Sequence, residues 1–509
     1  MENTPLLSTP FSRIEEDVEC LNEVDGPNTW DLFREECVIL VKYSLPVFVT
    51  HLLEYSLIVA SVVSIGHVST VALAAATLGS MTASVSGYTI IQGLSSALDT
   101  LLPAAWASSQ PQMVGLWSQR MVVVTAVTII PVLMIWFNAE SILLLLRQDP
   151  EVAHLAGVYL KLASLGLPAY AFNCVSRRYF QSQGLFVVPT RVILAVSPIN
   201  AVLNYVLVWG PEPIRIGFIG APIATAISFN LISISSVIYG IFYIEKTAWH
   251  PVSRRSFSDL GLLVRLGLCG VGQIASAWWS WELVGCAYVL KLTDIRMLNC
   301  VLTVAASLLG PATLAAQSVL LISSSWTYQA PFALAVATSV RIGNLLGERR
   351  ARRAGVTANT AVVLAVVVAV GWSTLLMSFR ESWAYIFNDD PEVVTLVASI
   401  LPLVAVFQVF DGTNAVSGGI LRARGKQFTG ALLSLSGYYV IGIPIGIWLA
   451  FQRDMGLAGL WVGLTLALVY CSAWGIYLCI TADWQKEVRT VLDRLAGYGE
   501  QEQRQDLGK

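Results

Sequence analysis

Long apolar segments, repeated along almost the whole chain, constrain the fold more than any other feature of the sequence. An α-helix crosses a bilayer core with roughly 20 mainly apolar residues. Twelve segments of that kind occur, at residues 38–64, 70–97, 119–138, 152–175, 187–209, 217–244, 260–288, 311–338, 357–379, 393–417, 428–450 and 456–481. The pattern predicts an all-α polytopic membrane protein with about twelve transmembrane helices.

Composition supports this fold class and excludes several partners. Hydrophobic residues make up 55% of the chain and charged residues 13%, whereas a soluble domain is about 25% charged. The net charge of -2 argues against a nucleic-acid partner. The eight cysteines show no paired spacing, so neither a disulfide framework nor a zinc site is expected. We expect no cofactor and no metal, with the lipid bilayer as the surrounding partner.

Basic residues are distributed unevenly between the two sets of loops. With twelve spans, the loops on the side of the termini hold sixteen Lys and Arg, and the opposite loops hold six. Basic loops stay in the cytosol, so both termini are predicted to be cytosolic, with the chain in the plasma membrane or the vacuolar membrane. The polar segments 1–35 and 483–509 are predicted to be solvated tails.

The second half of the chain repeats the first. The DPEV segment at 149–152 recurs at 390–393, and the same shift of 241 places Asn173 on Asn414 and Gly184 on Gly425. Each unit holds six spans, so both units enter the membrane in the same direction, and a substrate path is expected between them. We expect an N-lobe at 36–245 and a C-lobe at 256–482.

One segment interrupts the repeat. Aligning Pro46 with Gly270 gives a shift of only 224, which places an insert of about 18 residues between the seventh span and Leu314. The segment 288–305 is the best candidate. It is interpreted either as a real loop on the far side of the membrane or, as a hypothesis, as an unspliced intron in the gene sequence. A spliced transcript that encodes these residues would rule out the intron.

Several longer motifs resemble one family. They are GLSSALDT at 93–100, LRQDPEV at 146–152, SVRIGN at 339–344, SGGILR at 417–422 and GYYVIGIPIG at 437–446. Over residues 35–482 the chain resembles the multidrug and toxic compound extrusion transporters, especially their eukaryotic branch. The resemblance implies two six-helix lobes in a V shape. It also implies export of organic, often cationic, compounds in exchange for protons or sodium, and a much shorter link in place of the insert.

Four acidic residues lie inside predicted spans: Glu54, Asp99, Glu282 and Asp411. A charge inside a membrane is costly and usually functional. A proton and a cationic substrate can compete for one such carboxylate, and this competition is the simplest route to exchange. Asp99 lies near the membrane edge, so it is expected to cap or anchor its helix.

The resemblance singles out two of these acids. Glu282 and Asp411 match family carboxylates of the C-lobe, and they are expected to bind the coupling ion or the substrate. The alternative is a structural pair with a hydroxyl or an amide such as Asn414. Two further family carboxylates are replaced here by Ala277 and Ile322, so the acidic cluster is thinner than in the family.

The first half offers a second candidate. Prokaryotic relatives carry an aspartate at the position of Ser61, so that mechanism is not expected here. Glu54 lies about two turns earlier, on roughly the same face, and His51 lies one turn before Glu54. A Glu–His pair can relay protons. The alternative is a buried structural hydrogen bond.

Aromatic side chains near these acids suggest a pocket for a flat cation. Trp278 and Trp281 flank Glu282, and Tyr438 with Tyr439 lie in the eleventh span. Each aromatic face attracts an organic cation by roughly 0.5–2 kcal/mol. The alternative for most tryptophans is a position at the membrane interface. Asn414 completes the predicted pocket.

The sequence predicts a monomeric secondary antiporter, not an enzyme, whose partners are a small organic substrate and a coupling proton or, less favoured, sodium. A flippase for lipid-linked precursors is one alternative, although such proteins need a basic cavity and the spans here carry acids. A polytopic membrane enzyme is the other, although no Gly-x-Ser-x-Gly motif or His-rich cluster is present.

Overall fold

A computed structural model describes residues 28–66, 69–146, 148–287, 311–387 and 390–507. All regular secondary structure within these ranges is helical. The predicted insert at 288–305 lies outside the described residues.

The first repeat is built from ten α-helices. Its second span is broken into three pieces, by the π-helical turn Ser84–Tyr88 and by a turn after Ser95. Its fourth span consists of two α-helices joined by the short 3-10 turn Ser164–Gly166. The helices are α1 (Thr29–Gly66), α2 (Thr70–Ala83), α3 (Thr89–Ser95), α4 (Leu98–Trp106), α5 (Met113–Phe137), α6 (Ala139–Leu145), α7 (Pro150–Ala163), α8 (Leu167–Ser182), α9 (Val187–Trp209) and α10 (Gly220–Phe242).

The second repeat follows a linker with two 3-10 turns, Lys246–Ala248 and Arg254–Phe257. Its fifth span contains a longer π-helical turn, Ser436–Gly442. Its helices are α11 (Gly261–Ala287), α12 (Pro311–Gly347), α13 (Ala351–Ser378), α14 (Pro391–Ala423), α15 (Gln427–Leu435), α16 (Ile443–Gln452) and α17 (Gly456–Ile480), and a further helix, α18 (Trp484–Leu507), closes the chain.

Eleven of the predicted spans have the length and apolar composition needed to cross a membrane within the described residues. The remaining predicted span is the second one, 70–97, which is broken in the structure: α2 and α3 cover it, and α4 continues to Trp106. The all-α architecture of about twelve transmembrane helices is confirmed.

The repeated DPEV segment begins the same span in each repeat. The Asp149 carboxylate accepts hydrogen bonds from the backbone of Glu151 at 2.9 Å and of Val152 at 3.3 Å. The Asp390 carboxylate accepts one from Glu392 at 3.0 Å. An aspartate at the N-cap followed by proline at the first helical position is a strong helix start. The repeat therefore preserves a helix cap.

Both predicted tails are shorter than expected. At the N-terminus α1 already begins at Thr29, and Leu32 is buried. At the C-terminus Val488 and Val491 are buried against α12 and α13. These valines lie on one face of α18 at helical spacing, so the first half of this helix packs on the protein and is not a solvated tail.

The two repeats contact each other closely on the side where α1 begins and α18 lies, which we call the termini side. A Cβ on Gly93 would lie 2.6 Å from the Cα of Val271, and one on Gly343 would lie 2.7 Å from the Cβ of Pro103. Side chains larger than hydrogen do not fit at either glycine without a shift. The helices of the two repeats are therefore in near-backbone contact on this side.

Candidate functional site

Asp411 lies well inside the long helix α14, twenty residues after its first residue Pro391. The carboxyl group has no ion-pair or hydrogen-bond partner among the described residues, and the side chain is only partly buried. It interacts electrostatically with the phenol groups of Tyr328 from α12 and Tyr438 from the π turn. An acid without a countercharge inside a span can take up a proton or a cation.

The predicted tyrosines differ in their surroundings. Tyr438 is 3% exposed, and its ring packs in the core of the second repeat with residues of α14 and α17. Tyr439 is half-buried against the same core. Asn414 lies one turn after Asp411, so the two side chains share a helix face. The structure thus brings Asp411, Asn414 and Tyr438 together, and it adds Tyr328, which the sequence did not single out.

The predicted residues of the seventh span lie near the end of the described range 148–287. Glu282 and Trp281 lie on the last turns of α11, and their side chains lie outside the described residues. Trp278 is 45% exposed, so it is not enclosed as a residue deep in a pocket would be. The predicted roles of these three residues stay predictions.

Glu54 has a partner that the sequence did not reveal. The Arg177 guanidinium from α8 donates to both carboxylate oxygens, at 2.8 and 2.5 Å. His51 lies at 3.4 Å from the same carboxylate, as the predicted Glu–His pair requires. Its ring also packs edge-on against Phe332 of the second repeat, with centroids 4.9 Å apart. A proton relay through Glu54 would have to break a bidentate pair, which is a strong interaction.

Asp99 is also paired with arginine, and one of its partners comes from the other repeat. Its Oδ1 accepts a hydrogen bond from Arg178 Nε at 2.8 Å, and its Oδ2 lies 3.5 Å from Arg422 Nε. Asp99 sits in the first turn of α4, which agrees with the expected anchoring role. The anchor reaches across the interface between the repeats.

A buried polar network fills the first repeat around Ser61, the position where an aspartate was considered. The Ser61 hydroxyl lies 2.9 Å from Thr225 Oγ1 and 3.3 Å from Asn204 Oδ1. Asn204 and Asn200 are hydrogen-bonded in turn, and Asn200 donates to Ser228 at 2.8 Å. The network contains no carboxylate among the described residues. Two asparagines one turn apart within an apolar span were the available signal for it.

A second polar group near Asp411 was missed. Gln408 lies one turn before Asp411 on α14 and is fully buried. Neither its amide nitrogen nor its amide oxygen has a hydrogen-bond partner among the described residues. A buried unsatisfied amide is costly unless water or a ligand pairs with it. Its position next to the unpaired acid extends the candidate site along α14.

Comparisons with known proteins agree with this architecture. The MatE family model matches residues 46–206 and 295–448, more than half of the chain. The second match starts inside the segment 288–305, so the family pattern does not leave out the whole of the predicted insert.

Named relatives match nearly the whole chain. An uncharacterized transporter of Schizosaccharomyces pombe is 35% identical over 92% of this chain and 85% of its own length. The multidrug and toxin extrusion protein 1 of Homo sapiens is 30% identical over 89% of this chain and 76% of its own length.

Solved structures show the same fold. The crystal structure of the eukaryotic MATE transporter AtDTX14 covers 91% of this chain and 99% of its own, at 28% identity and a TM-score of 0.82. A multidrug resistance MATE family transporter in the outward-facing conformation covers 92% of this chain and 100% of its own, at 16% identity and a TM-score of 0.76. Family model, relatives and fold agree: the chain belongs to the MatE family, the multidrug and toxic compound extrusion transporters, and is a multi-pass membrane transporter of a small molecule, not an enzyme.

Proposed function

We propose that this transporter exports organic cations in exchange for protons, with Asp411 as the residue that binds either one. The unpaired carboxyl of Asp411 inside the second repeat carries the proposal. Proton and cation exclude each other at a single carboxylate, because each neutralises the same charge. Binding of one therefore favours release of the other, and exchange follows when the site opens alternately to the two sides.

The surroundings of Asp411 suit an organic cation. The phenol groups of Tyr328 and Tyr438 interact electrostatically with the acid, and aromatic faces attract cations with dispersed charge. Gln408 and Asn414 lie within one turn on either side and offer amide oxygens. Glu282, on the last turns of α11, would add a second carboxylate. Relatives named for multidrug and toxin extrusion support an organic substrate.

The proposed orientation places the termini side in the cytosol. The excess of Lys and Arg in the loops of that side supports it. We further propose a monomer, in the plasma membrane or the vacuolar membrane, with lobes at 36–245 and 256–482. Export then means movement of the cation from the termini side to the far side.

Proteoliposomes test the proposal. Vesicles loaded with a fluorescent organic cation are placed in buffer that imposes either an inward proton gradient or an inward sodium gradient. Release driven by the proton gradient and lost on Asp411→Asn is expected. Release driven only by the sodium gradient would mean that sodium, and not the proton, is the coupling ion. Release that survives Asp411→Asn would show that the site lies elsewhere.

A further inference from the structure

The contact between the repeats on the termini side contains a carboxylate that is shared between two arginines. Asp99 of α4 pairs with Arg178 of α8 in its own repeat at 2.8 Å and with Arg422 of α14 in the other repeat at 3.5 Å. All three side chains are largely buried, with exposed fractions of 16%, 14% and 8%. We call this group, together with Thr100 and Gln427, the Asp99 junction.

Hydrogen bonds across the interface surround this shared carboxylate. Thr100 Oγ1 donates to the backbone oxygen of Arg422 at 2.5 Å. Gln427 Nε2, at the start of α15, donates to the backbone oxygen of Ser96 at 3.0 Å and to Thr100 Oγ1 at 3.1 Å. The turn between α3 and α4 leaves the Ser96 oxygen accessible to this side chain. The end of the second span is thus bound to the end of the tenth.

The two arginines are not equivalent. Arg178 is held in place within its own repeat, because its Nη1 donates to the backbone oxygen of Cys174 at 3.0 Å. Its bond to Asp99 is short and needs nothing from the other repeat. Arg422 makes the longer contact, and only while the repeats are together. If the repeats separate, Asp99 keeps one charged partner, so opening does not leave a buried carboxylate alone.

One helix connects this junction to the candidate site. Asp411 and Arg422 both belong to α14, eleven residues or about three turns apart. Tyr328 interacts electrostatically with both of them. A shift of α14 when Asp411 exchanges proton for cation therefore acts on the residue that holds the other repeat. A change in what Asp411 binds can therefore alter the Asp99 junction through α14.

We propose that the Asp99 junction sets the balance between the states closed and open on the termini side, and that Arg422 and Arg178 act on it in opposite directions. Arg422 favours closure, because it binds Asp99 only across the interface. Arg178 favours opening, because it competes for the same carboxylate and stabilises it when the repeats part. Both are positioning residues, and neither contacts substrate. The transport consequence rests on the proposed exchange at Asp411.

Distance measurements between spin labels test the two directions without any substrate. Labels on Ser109→Cys and Arg350→Cys, in a full-length chain whose eight native cysteines are replaced, report on two exposed loop positions of the termini side. Gly347 packs against the Ala104 backbone, so these loops adjoin when this side is closed, and opening lengthens the distance. The ratio of long to short distances is measured for each variant.

Arg422→Gln is expected to raise that ratio about fivefold, and Arg178→Gln is expected to lower it by a similar factor. Arg191→Gln is the matched control. It removes a positive charge from the same side of the first repeat, where Arg191 contacts Tyr239 of that repeat, and it should leave the ratio unchanged. Shifts of both variants in the same direction, or no shift in either, would overturn the proposal.

A second variant keeps the test decisive if Arg422→Gln does not yield folded protein. Asp99→Asn removes the shared carboxylate and should also raise the ratio of long to short distances. In proteoliposomes, Arg178→Gln should lower the maximum rate of transport, because the protein remains longer in the state closed on the termini side. The KM for a fluorescent cation should stay unchanged, because the proposed site at Asp411 is not altered. Absence of proton-driven release in the unmodified protein would refute the proposed function but leave the distance result standing.

Discussion

Glu54 and Asp99 in the first repeat are held differently from Asp411 in the second. In the first repeat Glu54 receives two hydrogen bonds from Arg177, and Asp99 is shared by two arginines. In the second repeat Asp411 has no charged partner among the described residues, and it interacts electrostatically with Tyr328 and Tyr438. A carboxylate bound to arginine fixes helices together, whereas an unpaired one is able to exchange ligands. If the proposed exchange at Asp411 holds, similar residues in similar repeats serve structure in one repeat and exchange in the other.

Removing the carboxylate of Asp411 gives the largest expected effect. Asp411→Asn keeps the shape of the side chain and removes its charge, so cation binding and proton binding are both lost. The rate of proton-driven cation release should fall roughly 100-fold, equivalent to about 2.7 kcal/mol. Release from proteoliposomes measures it. Glu392→Gln, which removes an exposed carboxylate from the first turn of the same helix, is the control and should retain the normal rate.

The paired acid of the first repeat should respond through stability. Glu54→Gln leaves the Arg177 charge buried without a full partner, which should cost about 3 kcal/mol of folding free energy. Thermal unfolding followed by size-exclusion chromatography measures the loss. The double variant Glu54→Gln with Arg177→Met should recover most of it. If folded Glu54→Gln protein instead lost the proton dependence of transport, Glu54 would take part in coupling, and the proposed difference between the two repeats would be wrong.

A change at Tyr438 should have a smaller effect than the loss of Asp411. Tyr438→Phe keeps the ring and removes the hydroxyl of a side chain that interacts electrostatically with Asp411. The KM for an organic cation should rise about fivefold, the equivalent of roughly 1 kcal/mol, with thermal stability nearly unchanged. Tyr88→Phe, in the aromatic cluster of the first repeat with Tyr170 and Trp136, is the control. An equal rise in KM for this control would place substrate in both repeats.

Ser61→Ala should have the smallest effect. The change removes one hydroxyl from the buried network of Thr225 and Asn204, at a cost of about 1 kcal/mol of stability. The rate and the pH dependence of transport should stay unchanged, because no carboxylate among the described residues lies in this network. A changed pH dependence would mean that the polar network of the first repeat takes part in coupling.

The sequence predicted well those features that depend on local composition. Apolar length indicated twelve spans, and the DPEV repeat marked the same capped helix start in each half. The apolar segment 393–417 placed Asp411 inside a helix, now seen as Pro391–Ala423, and its role stays a prediction. Each span and each helix start lies within a few tens of neighbouring residues, where helical periodicity and hydrophobicity are readable.

Contacts between distant helices could not be predicted in the same way. Arg177 lies 123 residues from Glu54, and Arg422 lies far beyond Asp99 in the chain. Nothing in local periodicity indicates which arginine meets which acid. The packing of α18 was missed for a related reason, since its polar composition suggested a solvated tail although one face is apolar. The junction between the repeats is therefore a product of tertiary packing.

The π turn Ser436–Gly442 has a consequence for inhibitor design. A π turn contains one residue more than an α-helix needs over the same length. If it reverts to α geometry, the side chains beyond it move by one helical position, about 100° around the axis and 1.5 Å along it. Tyr438 and Tyr439 are both inside this turn, so such a change would alter the surface that each of them presents. A compound fitted to the ring of Tyr438 would encounter a different surface in the other register, and resistance could arise without any change of sequence at the point of contact.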